Sequence, residues 1–138
     1  MGVSLPRNYR PTEKEKFMGV RQIEYFRRKL NQWKDDILLE AQETLLHLQE
    51  ESLQEPDIAD RASAETERSL ELRTRDRQRK LVSKIDEALR RLEEGTYGYC
   101  EETGEPISLN RLDARPIATL SIEAQEQHER REKSYRDD

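Results

Sequence analysis

From Ile23 to Leu48 apolar residues recur every three or four positions: Ile23, Phe26, Leu30, Trp33, Ile37, Ala41, Leu45 and Leu48. That period lines them up as one stripe along a helix. No proline or glycine falls between Val20 and Glu55, and most intervening positions are Glu, Lys, Arg or Gln, which favour helix and face water. Pro56 disfavours helical geometry at Glu55, so the first helix is expected to run from about Phe17 and to stop near there. A turn over residues 55–60 follows, with Asp57 and Asp60 as candidate N-caps. The second helix is expected from about Arg61 to Glu94, with Leu70, Leu81, Ile85, Ala88 and Leu92 as its stripe and Gly95 as its stop signal. Its stripe is interrupted by the charged run RTRDRQRK.

Neither helix can bury its stripe alone, and the connection between them is short. The two are therefore expected to lie antiparallel, each roughly 50 Å long at the helical rise per residue. The predicted fold is mostly α: a long antiparallel two-helix coiled coil with a small head and a C-terminal helix. Residues 1–16 read as a flexible leader in which Tyr9 is a candidate for docking, residues 17–94 as the hairpin with its tip at 55–61, and residues 95–138 as the head. In that head Tyr97, Tyr99, Ile107, Leu109, Leu112, Ile117 and Leu120 are the expected core. A closing helix is expected from Ser121 to about Tyr135.

Composition agrees with helices washed by solvent. Of 138 residues, 33% are hydrophobic and 40% charged, too little apolar matter for a thick core. The single cysteine excludes an internal disulfide. No apolar run is long enough to span a bilayer and none reads as a signal-peptide core, so a soluble, cytoplasmic protein is expected. The net charge of −5 argues against a non-specific grip on duplex phosphate. Any work near nucleic acid would then pass through a partner protein.

The head carries the frame of a metal site without its ligands. Two residues separate Cys100 from Thr103 and two separate Ser121 from Ala124, with seventeen residues between the pairs. Cysteine at all four positions would make a four-thiolate zinc site of ordinary spacing. Threonine, serine and alanine cannot replace thiolates, so no zinc is expected, and apolar packing must supply the missing stabilisation. Cys100 reads first as a small buried hydrophobe; a redox role would need a lowered pKa and exposure. Arg73, Arg77, Lys80 and Lys84 fall on one side of the second helix, a strip able to meet phosphates or an acidic surface. His47 and His128 are isolated and carry no assigned chemistry. No nucleophile–base pair or glycine-rich phosphate loop is present, and no enzymatic activity is expected.

The segments PDIADRAS, SLELRTRDRQRKL, EEGTYGYC and RLDARPIA, in this order, resemble the DksA/TraR family over roughly residues 17–133. The resemblance implies a transcription regulator that binds RNA polymerase directly and inserts its coiled coil into the secondary channel. With ppGpp as effector at the polymerase interface, it would destabilise open promoter complexes in the stringent response, without sequence-specific DNA contact. Carried over by position, Asp57, Asp60 and Ala62 match the family's functional tip. Leu81, Lys84 and Arg115 match positions that help form the ppGpp site. Gln125 stands where the family often has a lysine, a departure that weakens the expected synergy unless Arg130 or Arg131 supplies the charge. Most family members have four cysteines, and this chain is similar to a zinc-independent subset in which oxidation would act through Cys100. An intramolecular hairpin favours a monomer. A different mechanism open to the same residues is that of a Gre-like cleavage factor, in which Asp57 and Asp60 hold a Mg²⁺ ion.

Overall fold

A computed structural model of the chain describes residues 3–52 and 58–137. Four helices follow one another: α1 (Val20–Ser52), α2 (Ile58–Glu94), α3 (Leu109–Ala114) and α4 (Ile122–Asp137). No strand occurs among the described residues, and an antiparallel bridge joins Tyr99 to Pro106. The chain is mostly α, as its periodicity predicts. It divides into two compact units, one of residues 1–30 and 87–138, the other of residues 31–86.

Local chemistry sets the ends of the helices. α1 begins three residues later than the apolar pattern suggests, because Met18 sits at φ 53°, outside helical geometry. Its N–H donates to the side-chain Oε1 of Gln22 at 2.8 Å, which satisfies a donor that the helix start would leave open. α2 begins at Ile58, earlier than expected, and ends at Glu94. Beyond it Gly95 takes φ 81°, and the N–H groups of Thr96 and Tyr97 both donate to the carbonyl of Arg91. This left-handed residue closes the helix as a glycine after a C-terminus does. The short α3 has no counterpart in the sequence reading. Ser108 caps it by accepting the N–H of Arg111 at 3.2 Å, and Ser121 caps α4 by accepting that of Ala124 at the same distance.

The first unit holds a true core. Phe26, Leu30, Ile107 and Leu112 are essentially fully buried, with Leu92, Tyr97 and Leu109 beside them in the buried set. Of the expected head core, Ile117 and Leu120 are half-buried and Tyr99 is 38% exposed. One edge of Tyr99 is covered by Phe17, whose ring packs edge-on to it with centroids 5.4 Å apart. The N-terminal segment, where mobility was expected, has several anchors on this unit. Tyr9 stacks edge-on with Tyr25, Gln22 Nε2 donates to the carbonyl of Thr12, and Arg28 Nη2 donates to that of Val3.

In the second unit α1 and α2 run antiparallel. Lys34 pairs with Asp86, Glu40 with Gln78 and His47 with Glu71, so partner numbers fall on α2 as they rise on α1. The predicted stripes are only partly inside. Ile37 and Ile85 are buried, but Leu45 is 40% and Leu70 is 55% exposed. Where α2 carries the RTRDRQRK run, the inward positions are polar: Gln78 is buried, and Thr74 and Arg75 are half-buried. Two helices alone cannot enclose a wide apolar stripe, and the side chains at its edges remain in solvent.

Candidate functional site

Three groups of residues carry candidate chemistry: the tip, the positions matched to an effector site, and the frame of a metal site. At the tip, Asp57 lies outside the described residues. Asp60 falls in the first turn of α2, while its side chain also lies outside the description. Ala62, two residues on, is exposed and lines a shallow groove of about 340 Å³ with Glu65, Thr66 and Arg73.

Leu81 is half-buried on α2, and Lys84 is exposed. Arg115 is exposed at the C-cap of α3, where its backbone N–H donates to the carbonyl of Arg111 at 2.7 Å. Gln125, half-buried in the first turn of α4, donates from Nε2 to Glu129 Oε1 at 3.2 Å. Arg131 is exposed on the same helix, and Arg130 lies 4.0 Å from Glu126.

The metal-site frame has been put to other uses. Cys100 begins a tight turn in which its N–H donates to the Glu105 carbonyl at 2.8 Å and its own carbonyl accepts from Gly104. The thiol is 3% exposed. Burial pushes its pKa up, but hydrogen bonds from the Thr103 side chain and from the backbone at Ser121, Thr103 and Glu102 outweigh that and pull it down to about 6. Thr103 also accepts the N–H of Glu105, Ser121 caps α4, and Ala124 is a buried methyl group at 2% exposure. The structure thus brings Thr103 and Ser121 onto Cys100. One thiol, two hydroxyls in other hydrogen bonds and a methyl group do not make a zinc donor set. Among the described residues no cluster of three or more His, Cys, Asp or Glu side chains can hold a metal ion.

One cluster escaped the sequence reading altogether. Asp113 of α3 accepts from Tyr25 at 2.5 Å and from Lys29 Nζ at 2.6 Å, and Lys29 also donates to the Asp113 backbone carbonyl. Burial pushes the Asp113 pKa up, yet the bonds from Lys29 and Tyr25 outweigh it and hold the carboxyl below its usual range. Burial and the bond to Asp113 push Tyr25 up to about 12. These bonds tie α3, and with it the segment that ends at Arg115, to α1. The Asp in RLDARP was visible in the sequence; its partners eighty-odd residues earlier were not, because nothing local links them.

Comparison with known proteins places these features in a family context. Residues 22–92 match the family described as DnaK suppressor protein DksA, N-terminal domain. Residues 95–130 match the prokaryotic dksA/traR C4-type zinc finger. The chain is 67% identical over 131 residues to the RNA polymerase-binding transcription factor DksA of Caulobacter vibrioides, covering 95% of this chain and 92% of that one. It is 43% identical over 125 residues to the protein of the same name from Escherichia coli K12, covering 91% and 83%. In structure it is similar to the transcription factor DksA2 from Pseudomonas aeruginosa, with a TM-score of 0.79 and 44% identity over 85% of this chain and 90% of that one.

Proposed function

The chain belongs to the DksA family, and on that premise we propose that it is a transcription regulator that binds RNA polymerase directly and is not an enzyme. The observation that carries this reading is 67% identity across nearly the whole chain to a protein whose name states that binding. In this proposal the α1–α2 hairpin enters the secondary channel and presents Asp57, Asp60 and Ala62 near the active centre. The carboxylates act through their charge on mobile polymerase elements, and open promoter complexes lose lifetime. A net charge of −5 supports regulation through a protein partner in place of sequence-specific contact with DNA.

The proposal includes ppGpp as effector, with Leu81, Lys84 and Arg115 contributing to its site at the polymerase interface. Exposure of the Lys84 and Arg115 side chains supports this, since a phosphate needs accessible cations. Gln125 supplies no charge there, so the response to ppGpp should be weaker than in a Gln125→Lys variant. Cys100, with its lowered pKa, is the residue through which oxidation would act, although its burial slows any reagent.

The chain should be retained by core polymerase and should shorten open-complex lifetime on a ribosomal promoter. Asp60→Asn should bind as the parent does and lose that effect. Parent-like activity in this variant would refute the tip assignment. Stimulated transcript cleavage in stalled elongation complexes would instead support a Mg²⁺-holding, Gre-like mechanism.

A further inference from the structure

Within the 31–86 unit, one side of the α1–α2 pair forms a groove of about 190 Å³. Its apolar wall is Ile37, Leu38, Ala41 and Val82, and its cationic rim is Arg75 and Arg79. Leu38 is 48% exposed. Leu45, two turns further along α1, and Leu72, one turn before Arg75 on α2, continue the same face at 40% and 46% exposure. Large apolar side chains at helical spacing, open to water along both helices, are what a third helix would cover.

A second observation points to a missing occupant. Gln78 lines the same groove and is nine-tenths buried. Its Nε2 donates to Glu40 Oε2 at 3.2 Å, while its Oε1 is buried with no hydrogen-bond partner. A buried acceptor left open is costly, and a donor arriving with a partner would satisfy it.

The charge of the rim selects among occupants. The chain as a whole is acidic, at −5, yet this groove is rimmed by two arginines. A second copy bound through the same face by two-fold symmetry would bring the arginines of both copies into one interface. Like charges there disfavour self-association and favour a partner of opposite sign.

We propose that this groove docks an acidic amphipathic helix of a partner protein, its leucine-type stripe lying between Leu38 and Val82 and its flanking carboxylates meeting Arg75 and Arg79. One amide or hydroxyl donor in that stripe fits Gln78 Oε1. The face is separate from the strip of Arg73, Arg77, Lys80 and Lys84. On α2 Arg75 and Arg79 stand two residues either side of Arg77, about 160° away from it around the helix. The proposal therefore does not depend on the secondary-channel reading.

The test uses the full chain and a labelled synthetic helix with leucines at i, i+3 and i+7, one glutamine in that stripe, and glutamates on both flanks. Fluorescence anisotropy should show saturable 1:1 binding that weakens with salt. The double reversal Arg75→Glu with Arg79→Glu should weaken it at least tenfold. The same charge change on the other side, Lys80→Glu with Lys84→Glu, should alter it less than about twofold. Leu38→Glu should also abolish binding while circular dichroism stays as in the parent. Equal weakening by the two double reversals would reduce the effect to general charge attraction and overturn the proposal. No binding would overturn it as well, as would a parent that dimerises through this face in sedimentation.

Discussion

Eleven of the buried hydrophobic side chains among the described residues lie in the unit of residues 1–30 and 87–138, and two, Ile37 and Ile85, in the unit of residues 31–86. The first unit folds several short elements onto the start of α1 and the end of α2, so a side chain such as Leu112 is covered from several directions. Among its described residues the second has two helices and nothing else. It buries one narrow seam, fills part of that seam with Gln78, and leaves most of its leucines in water. One region encloses its apolar side chains. The other leaves apolar surface open, and on it rests the proposed helix dock.

The largest effect that could break this comparison is in the core. Phe26→Ala removes a fully buried ring and should cost about 3–5 kcal/mol. Leu45→Ala, on a side chain 40% exposed, should cost less than about 1 kcal/mol. Denaturant unfolding of the two variants checks this, and similar costs would mean that the hairpin is packed as firmly as the head.

Next in size is Gly98→Ala. Gly98 has φ 90°, and a Cβ there would lie 3.1 Å from Phe17 Cζ and 3.3 Å from Met18 Cε. Left-handed geometry plus crowding should cost about 1–3 kcal/mol and loosen the N-terminal anchor. Gly95→Ala, with φ 81° and nothing within 4 Å, carries the backbone strain alone and should cost less. Thermal melts that rank the two variants in reverse would remove Phe17 and Met18 from the account.

Gln78→Leu sharpens the contrast from the other side. It deletes an unsatisfied buried acceptor and extends the apolar seam, so it should stabilise the chain by about 1 kcal/mol. The variant should also weaken the helix-docking assay, because the donor on the probe would lose its acceptor. A chain destabilised by this change would show that the bond to Glu40 matters more than the open oxygen.

A smaller effect is expected in alkali. All five tyrosines lie in the first unit. Burial and the bond to Glu15 push Tyr9 up to about 12, and burial and the bond to Asp113 do the same for Tyr25. Groups whose folded pKa is raised add stability that is whole below the ordinary value near 10 and is lost as pH rises through 12. The head should therefore loosen between about pH 10 and 12. Tyr25→Phe should flatten that dependence, as followed by tyrosinate absorbance against circular dichroism. An unchanged profile would sever Tyr25 from it.

Much of this organisation was legible along the chain because it rests on local rules. The stripe from Ile23 to Ile37 and the stop at Gly95 each depend on residues a few places apart. The exposed fate of Leu45 and Leu70 was not legible, since periodicity tells which residues share a face and not whether a neighbour is wide enough to cover them. The clamp of Tyr25 and Lys29 on Asp113 joins residues more than eighty positions apart. Ser108 was likewise passed over, though a serine ahead of Leu109 and Leu112 is a helix-start signal. The tip carboxylates were placed by the turn signal at Pro56 and given their role by family resemblance, and their side chains lie outside the described residues.

Hydrogen exchange of the intact chain, with and without a strong chelator, tests most directly whether the head stands on packing without metal. Amides of residues 22–30, 85–92 and 107–112 should exchange at least about tenfold more slowly than those of residues 61–77, with no change on adding chelator. Head amides released by the chelator, or a hairpin protected as well as the head, would contradict the account.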